Sequence, residues 1–328
     1  MEQTSNLTTP IVYVLVSSPD DFFVEQLWGS LYSLRHFHPD AKVVVLTDGS
    51  TRTRIMTDDK LRPIYGMISE LKEVDVPEQF CGVLRSRFIK TQVRNLIEGD
   101  YLYMDTDTII SGPLDGIDRL EVKNLAMVPD LHRQHSWSII WDVAREKMLF
   151  GVDIKDARAT YFNAGVTYVK DNKLTRDFFA KWHENWLHSV EKGYYIDQPA
   201  LFYTDHTFGH IIEKLPDVYN CMGAHSAFYW NGGNVIHYLD KGLPFRTLRN
   251  IPKMIHKGSG ITDEVRDILF HPKNHLSAGT CFCSQDDFDF LNGAFCQFCM
   301  NSKVLRWCIS KFNDWEASRR VKRLNKWK

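Results

Sequence analysis

Short runs of consecutive apolar residues, rich in β-branched side chains, recur along the first half of the chain. The run over residues 11–16 ends at Ser17, and the run over residues 43–46 ends at Thr47 and Asp48. Between the two runs, apolar residues recur at helical spacing: Val24, Leu27, Leu31 and Leu34. Continuous apolar runs are typical of strands buried on both faces, as in parallel sheets. A strand, a helix and a second strand at this spacing predict a βαβ unit and therefore an α/β fold.

The same alternation continues to about residue 265. Further strands are predicted over residues 101–104, 125–128, 162–169, 235–237 and 254–256. The helices between them are predicted over residues 85–97 and 171–190. We therefore divide the chain into a polar tail, expected to be disordered, a main domain and a C-terminal extension with a cysteine cluster and a basic helix. These three parts cover residues 1–10, 11–265 and 266–328.

Composition excludes several classes of protein. The chain has 328 residues, of which 44% are hydrophobic and 25% charged, as expected for a globular protein with a sizeable core. The net charge of −1 gives no reason to expect nucleic acid as a partner. The sequence has no apolar run long enough to cross a membrane, and its first ten residues lack the apolar region of a signal peptide. These features favour a cytoplasmic location.

Two aspartates, Asp105 and Asp107, directly follow the apolar run over residues 101–104. On extended backbone, side chains two residues apart point to the same side. The end of a buried strand is also where open α/β sheets place their ligand crevice. Like charges this close need a cation between them, and a hard divalent cation bound by oxygen atoms can bridge to a diphosphate. The alternative is an ordinary solvated strand end.

Other polar residues mark the same edge of the predicted sheet. They are expected at the carboxyl ends of strands: Ser17, Asp48, Asp105, Asp130, Asn163 and His256. The helix before the Asp105 strand opens with three cations, Arg85, Arg87 and Lys90. Cations at this position can contact a diphosphate, although surface charge is the default for any single arginine or lysine.

Five motifs follow one another along the chain. They are Ser86-Arg87-Phe88, the segment over residues 101–108, the segment Phe162-Asn163-Ala164-Gly165-Val166, the segment over 197–201 and the segment over 215–220. Their order resembles the retaining sugar-nucleotide glycosyltransferases of the glycogenin and lipopolysaccharide galactosyltransferase type, that is, glycosyltransferase family 8. The resemblance covers roughly residues 10–265. It implies a GT-A fold, in which a Rossmann-like, mainly parallel sheet is flanked by helices.

The resemblance also implies roles for individual residues in donor binding. Asp105 and Asp107 would ligate a divalent metal, Mn²⁺ or Mg²⁺, bound to the diphosphate of a nucleotide sugar. Arg87 and Thr106 would hold the donor. The loop from Ser17 to Phe22 would pack on the nucleotide base, where Phe22 or Phe23 could stack.

The sugar pocket would be lined by carboxylates and amides that can bond sugar hydroxyls: Asp130, Asn163, Asp197 and Gln198. Gln198 would lie nearest the anomeric carbon. An amide at that position favours a front-face route to retention, in which the leaving phosphate helps to deprotonate the acceptor. Asp197 acting as a nucleophile is the alternative.

The third metal ligand departs from the family pattern, which has a histidine followed by a glycine and Lys-Pro-Trp. His256, followed by Lys257 and Gly258, supplies a histidine with a cation and a glycine suited to a diphosphate. His237 preserves the spacing but has Asp240 where the glycine belongs. We therefore expect His256 to be the ligand, with His237 as the alternative.

The C-terminal extension carries a cysteine cluster. Its four closely spaced members resemble a four-thiolate metal pattern: Cys281, Cys283, Cys296 and Cys299. A structural Zn²⁺ or a small apolar lobe with reduced thiols would account for it. The segment over residues 303–328 mixes basic residues with tryptophans, which predicts either a peripheral contact with the cytoplasmic face of a membrane or a surface helix packed on the domain.

These observations predict a metal-dependent hexosyltransferase. It would move a hexose from a nucleotide sugar, a UDP-sugar by preference, to a hydroxyl of a glycan, lipid-linked or protein acceptor with retention. One alternative is a sugar-phosphate nucleotidyltransferase, but the Gly-rich basic signature expected after the first strand is missing from Val16-Ser17-Ser18-Pro19. Another is a non-catalytic binding protein, which the intact aspartate pair disfavours.

Overall fold

A computed structural model of the protein describes residues 7–130, 145–152, 160–222, 233–238 and 247–275, together with residues 302, 304, 307 and 308. Seven strands form the central sheet: β1 (Ile11–Leu15), β2 (Val43–Thr47), β3 (Glu70–Glu73), β4 (Tyr101–Met104), β6 (Leu125–Pro129), β7 (Phe162–Val169) and β8 (Ile212–Lys214). Two short strands form a second sheet: β5 (Thr108–Ile110) and β9 (Val235–His237).

The central sheet has the strand order β3-β2-β1-β4-β7-β6-β8, and neighbouring strands are parallel except on both sides of β7. The predicted mainly parallel sheet is thus confirmed. Asn163 requires a correction, because it lies near the start of its strand and not at the carboxyl end. Since β7 runs opposite to β4 and β6, its first residues nevertheless lie at the sheet edge where those two strands end.

Helices cover both faces of this sheet: α1 (Phe23–Phe37), α2 (Gly49–Thr57), α3 (Arg62–Tyr65), α4 (Val83–Lys90), α5 (Val93–Leu96), α6 (Lys173–Glu191), α7 (Gln198–Thr207), α8 (Ile251–Gly258) and α9 (Asp263–Phe270). Residues 145–150 are also helical. Because the strands are buried on both faces, they divide the core into two apolar clusters. One includes side chains of α1, α8 and α9, and the other includes side chains of α4, α6 and α7.

Two of the predicted elements differ from the structure. The helix predicted over residues 85–97 is two helices, α4 and α5, separated at Thr91 and Gln92. The strand predicted over residues 254–256 is wrong, because these residues belong to α8. That helix buries Ile251 and Ile255, one turn apart, in the core cluster beside α1. The helical period is visible only once Ile251 is included, since two apolar residues in a row fit either element.

The C-terminal part of the described chain continues the main domain. Helix α9 crosses the expected domain boundary at residue 265, and its buried residues Val265, Ile268 and Leu269 belong to the same core cluster as α1. The four clustered cysteines and nearly all of residues 303–328 lie outside the described residues. Among the helices that the structure describes, none combines the length and the apolar character needed to cross a bilayer.

Candidate active site

The two aspartates of the Asp105-Thr106-Asp107 segment lie in the connection between β4 and β5. The segment forms a turn, whereas the sequence pattern predicted extended backbone here. The backbone N–H of Asp105 donates to the carbonyl of Gly165 on β7 (2.7 Å), and the N–H of Tyr238 donates to the carbonyl of Asp107 (3.1 Å). Hydrogen bonds to β7 and to the residue that follows β9 therefore hold the turn in place.

His237 lies beside the aspartates because of strand pairing. Strand β9 pairs antiparallel with β5, which aligns His237 with Thr108, the residue after Asp107. The Nε2 atom of His237 lies 3.2 Å from Oδ1 of Asp107, and the His237 side chain is buried. One possible ligand atom of each of Asp105, Asp107 and His237 lies within 4.8 Å of the others. A histidine nitrogen and carboxylate oxygens at this spacing form a donor set for a divalent cation.

The buried pair of His237 and Asp107 favours its charged forms. Burial by itself would lower the pKa of His237, but the Asp107 carboxylate outweighs burial and raises it. Burial would likewise raise the pKa of Asp107, but His237 outweighs burial and lowers it. Each of the two side chains therefore favours the charged form of the other.

Two cations of α4 lie close to Asp105 and Asp197. The Nζ atom of Lys90 lies 2.8 and 2.9 Å from the two carboxylate oxygens of Asp105, and 3.8 Å from Oδ2 of Asp197. The Nε atom of Arg87 lies 3.2 Å from Oδ1 of Asp197. Burial opposes charge on Arg87, but Asp197 and then Asp105 outweigh it and raise its pKa. Arg87 and Lys90 are three residues apart and so face the same side of α4.

Polar residues from β6, β7 and α7 extend this site. Asn163 donates to Asp130 at the end of β6, with 3.1 Å between Nδ2 and Oδ1. Gln198, the first residue of α7, donates to the carbonyl of Phe162 (3.4 Å). Asp197 is buried, and its carbonyl accepts the indole N–H of Trp182 (3.1 Å). The start of α7 is therefore tied to the start of β7, beside the aspartate turn.

Two cavities open at this edge of the sheet. The smaller, of about 270 Å³, is lined among others by Gln26, Arg87, Tyr103, Asp105, Thr106 and Asp107. The larger, of about 510 Å³, is lined among others by Ser17, Ser50, Thr53, Arg54 and Arg85. Val16, Phe23 and Gly82 line both cavities, which are therefore adjacent. Together they provide a cleft with charged side chains in both parts and additional hydroxyl groups in the larger one.

Comparison with known proteins identifies the class of this site. Residues 99–256, which include the aspartate turn and both candidate histidines, match the family model for glycosyl transferase family 8. The protein is a glycosyltransferase, and its residues 99–256 are similar to glycosyl transferase family 8. A comparison of the sequence with curated proteins gave no match.

Solved structures share the fold of this glycosyltransferase. The galactosyltransferase LgtC, in complex with donor and acceptor sugar analogues, gives a TM-score of 0.51 at 19% identity over 79% of this chain and 99% of LgtC. An active-site variant of LgtC, with a glutamine replaced by glutamate, gives a TM-score of 0.51 at 18% identity over 79% of this chain and 99% of the variant. The bifunctional glycosyltransferase WbbM gives 0.51 at 15% identity over 78% of this chain and 52% of WbbM, so the chain spans about half of WbbM. These likenesses confirm the expected GT-A fold.

His256 does not lie at a strand end beside the aspartates, where the sequence predicted it. His256 lies in α8, where its Nδ1 contacts Oε1 of the buried Glu25 (2.8 Å) and its ring packs edge-on against Phe22. Lys257 and Gly258 end the same helix and are exposed. The group of potential ligands that the structure brings together around Asp105 contains His237 instead. The preference for His256 is therefore corrected, because a helical residue facing α1 cannot supply the strand-end ligand.

The loop after β1 also differs in detail. Ser17 is buried, donates to Asp21 (2.6 Å) and accepts from Arg54 (3.1 Å) at the larger cavity. Phe22 packs on His256 and is absent from the lining of both cavities, whereas the exposed Phe23 lines both. Of the two candidate stacking residues, Phe23 has the suitable position.

Sequence reasoning missed several contacts of this site. Tyr103 donates to Oδ1 of Asp105 (2.5 Å), and Thr106 donates to Oε1 of Gln26 (3.2 Å). Lys90 was identified as a cation of α4 but not as the partner of Asp105. The alternation of strand residues placed Tyr103 and Asp105 on one side of β4, and helical spacing placed Lys90 beside Arg87. Both patterns were therefore available as signals.

Proposed function

We propose that this glycosyltransferase moves a hexose from a nucleotide sugar, by preference a UDP-sugar, to an acceptor hydroxyl with retention of anomeric configuration, and that it depends on Mn²⁺ or Mg²⁺. The observation that carries the proposal is the convergence of Asp105, Asp107 and His237, two of which line the same cavity as Arg87. The donor would lie along the cleft, with its diphosphate at the aspartates.

The chemistry of this donor set fits a divalent metal. Nε2 of His237 is buried and lacks a hydrogen bond of good geometry, although it lies 3.2 Å from a carboxylate oxygen of Asp107. A metal held by Asp105, Asp107 and His237 would give that nitrogen a partner and would relieve the repulsion between the two carboxylates. When bound, the metal supplies positive charge that stabilises the departing nucleoside diphosphate.

Cations of α4 support the same assignment. Arg87 lines the smaller cavity, and its planar guanidinium suits a phosphate. Lys90 neutralises Asp105 and adds charge close to the expected position of the diphosphate. We assign the nucleoside to the larger cavity, where Ser17 and neighbouring hydroxyl groups can bond ribose and base, and where Phe23 can stack.

Retention is proposed to follow a front-face route. Asp197 is the carboxylate that could act as a nucleophile instead. Arg87 and Lys90 both contact it, and their positive charge lowers its nucleophilicity. Gln198 is half-buried at the N-terminus of α7 and can present its amide to the reacting face. LgtC, whose fold this chain shares, also has a glutamine in its active site, which supports this choice. Asp130 and Asn163 are proposed to bond the sugar hydroxyls.

A donor panel tests the proposed function. The purified protein is incubated with UDP- and GDP-sugars in the presence of Mn²⁺ or of a chelator, and release of the nucleoside diphosphate is measured. We expect hydrolysis of at least one UDP-sugar with Mn²⁺ and none with the chelator. Gln198→Ala should lose turnover while keeping donor affinity, whereas Asp197→Asn should disturb donor binding through Arg87. If none of the donors is bound or hydrolysed, the proposal is contradicted.

Two further predictions concern the C-terminal extension and are based on its sequence alone. A structural Zn²⁺ on the cysteine cluster, and a peripheral membrane contact of residues 303–328 that brings a lipid-linked acceptor to the site, stay predictions. Of the seven cysteines, the structure gives free thiols for Cys81, Cys221 and Cys308. Zinc analysis of the purified protein and flotation with anionic vesicles would test the two predictions separately.

A further inference from the structure

The second ring nitrogen of His237 is bound by a buried amide. Nδ1 of His237 lies 3.0 Å from Oδ1 of Asn220, which follows the short helical turn Asp217–Tyr219. Asn220 has no exposed surface and His237 is 2% exposed, so water does not compete for this contact. The other nitrogen, Nε2, faces Asp107 and the proposed metal.

A backbone group determines which way this amide points. The N–H of Gly165 donates to Oδ1 of Asn163 (2.8 Å), and a backbone N–H can only donate, so the Asn163 atom is the oxygen. The same oxygen lies 3.1 Å from the side-chain nitrogen of Asn220, which must therefore be the donor. The oxygen of Asn220 is thereby turned towards His237.

The tautomer of the histidine follows from this orientation. An amide oxygen can only accept, so Nδ1 of His237 must carry the proton that it donates to Asn220. In the neutral imidazole the lone pair then lies on Nε2, the atom that faces Asp107 and Asp105. Histidines that bind metals commonly have the proton on the other nitrogen fixed by a partner of this kind.

Gly165 leaves the space that the arrangement needs. A Cβ atom at this position would overlap Cε1 of the His237 ring and would lie 2.7 Å from its Nδ1 and 2.8 Å from Oδ1 of Asn163. The carbonyl of Gly165 also accepts the N–H of Asp105. One residue of β7 thus contacts the aspartate turn, the ring of the histidine and the amide that orients it.

We propose that Asn220 is a positioning residue of the metal site. It holds His237 in the tautomer and ring orientation that present Nε2 to the metal, and Asn163 and the N–H of Gly165 anchor it. Because Asn163 also donates to Asp130, the same chain of hydrogen bonds runs from the proposed sugar pocket to the metal ligand. This inference rests on the proposed function through the metal site.

Metal affinity measured without donor tests the inference. Binding of Mn²⁺ to the full chain is measured by titration calorimetry for the wild type, Asn220→Ala, His237→Ala and a control, Asn185→Ala. Asn185 is a matched buried amide that donates to Thr204 (2.9 Å) within the contact between α6 and α7. We expect Asn220→Ala to weaken Mn²⁺ binding by about 10–100-fold, and Asn185→Ala to leave it unchanged.

The possible failures are distinguishable. If the wild type binds no Mn²⁺, the metal site and this inference both fall. If His237→Ala weakens binding but Asn220→Ala, folded by circular dichroism, binds as the wild type does, only the inference is overturned. A second measurement is independent of any variant: nitrogen NMR of the Mg²⁺-loaded wild type should show the His237 proton on Nδ1, and a proton on Nε2 would overturn the proposal.

Discussion

Replacing Lys90 with methionine should destabilise the metal-free protein far more than the metal-bound protein. Lys90 contacts both oxygens of Asp105 at 2.8 and 2.9 Å, and its side chain is 5% exposed against 18% for Asp105. Removing one partner of a buried ion pair costs about 3–5 kcal/mol. We expect the lower end, about 3 kcal/mol, because Asp105 keeps the hydrogen bond from Tyr103 and is partly exposed. At about 2 °C per kcal/mol for a long chain, the melting temperature should fall by about 6 °C.

Divalent metal should restore much of this loss. A metal supplies the positive charge that Asp105 loses, and the variant no longer holds a lysine that competes for the same oxygens. Ligand present at 100 times its dissociation constant stabilises a protein by about 2.7 kcal/mol. Mn²⁺ at that excess should therefore return the melting temperature of the variant to within about 1 °C of that of the metal-free wild type.

Calorimetric melting in a chelator and in Mn²⁺ measures both effects. Lys173→Met is the control, because Lys173 pairs with Asp177 on the surface of α6, with 88% and 52% of their side chains exposed. An exposed pair of this kind contributes at most about 0.5 kcal/mol, with no dependence on metal. If Lys90→Met melts equally far below the wild type in both conditions, Lys90 does not act as the counter-ion of a metal site.

Three further predictions concern the metal ligands. Asp105→Asn should abolish metal-dependent donor binding in calorimetry while the circular dichroism spectrum is unchanged; donor binding equal to that of the wild type would exclude the metal role. His237→Ala should weaken Mn²⁺ binding by at least about 10-fold, because even the loss of a residue that only supports a metal ligand costs that much. His256→Ala should leave Mn²⁺ binding unchanged. The reverse result would restore His256 as the ligand. Mn²⁺ affinity should rise with pH as His237 loses its proton. This rise should occur above the ordinary histidine pKa of about 6.5, because the negative charge of Asp107 and Asp105 raises the pKa of His237 despite its burial. In the metal-free protein, the stability from protonated His237 is fully present below about pH 6.5 and is lost as the pH rises through the raised pKa, which melting temperatures at several pH values would show.

The local sequence pattern was sufficient to predict the strands around the aspartates. The apolar runs at β1, β2 and β4 contain no charged residue, so burial on both faces is expected, and their parallel pairing follows from the helices between them. The position of Asp105 at the end of β4 is a consequence of that run ending.

The choice between the two histidines could not be made in the same way. Both follow two apolar residues, and a window of three residues fits a strand or one turn of a helix. His237 joins Asp107 only because β9 pairs with β5, a contact between residues more than a hundred positions apart. His256 lies on α8 because Ile251 and Ile255 are buried beside α1, and this packing is also a long-range contact.

By itself, the sequence determined the class of fold, the edge of the sheet where ligands bind and the identity of two carboxylates there, because these depend on periodicity and on where each apolar run stops. The tertiary structure decided which histidine joins them, that Lys90 neutralises Asp105, and that Asn220 orients His237. Each of these contacts brings together side chains from different elements, and their distances depend on how strands and helices pack. The grouping of Asp105 and Asp107, from the connection between β4 and β5, with His237 of β9 therefore becomes visible only in the folded chain.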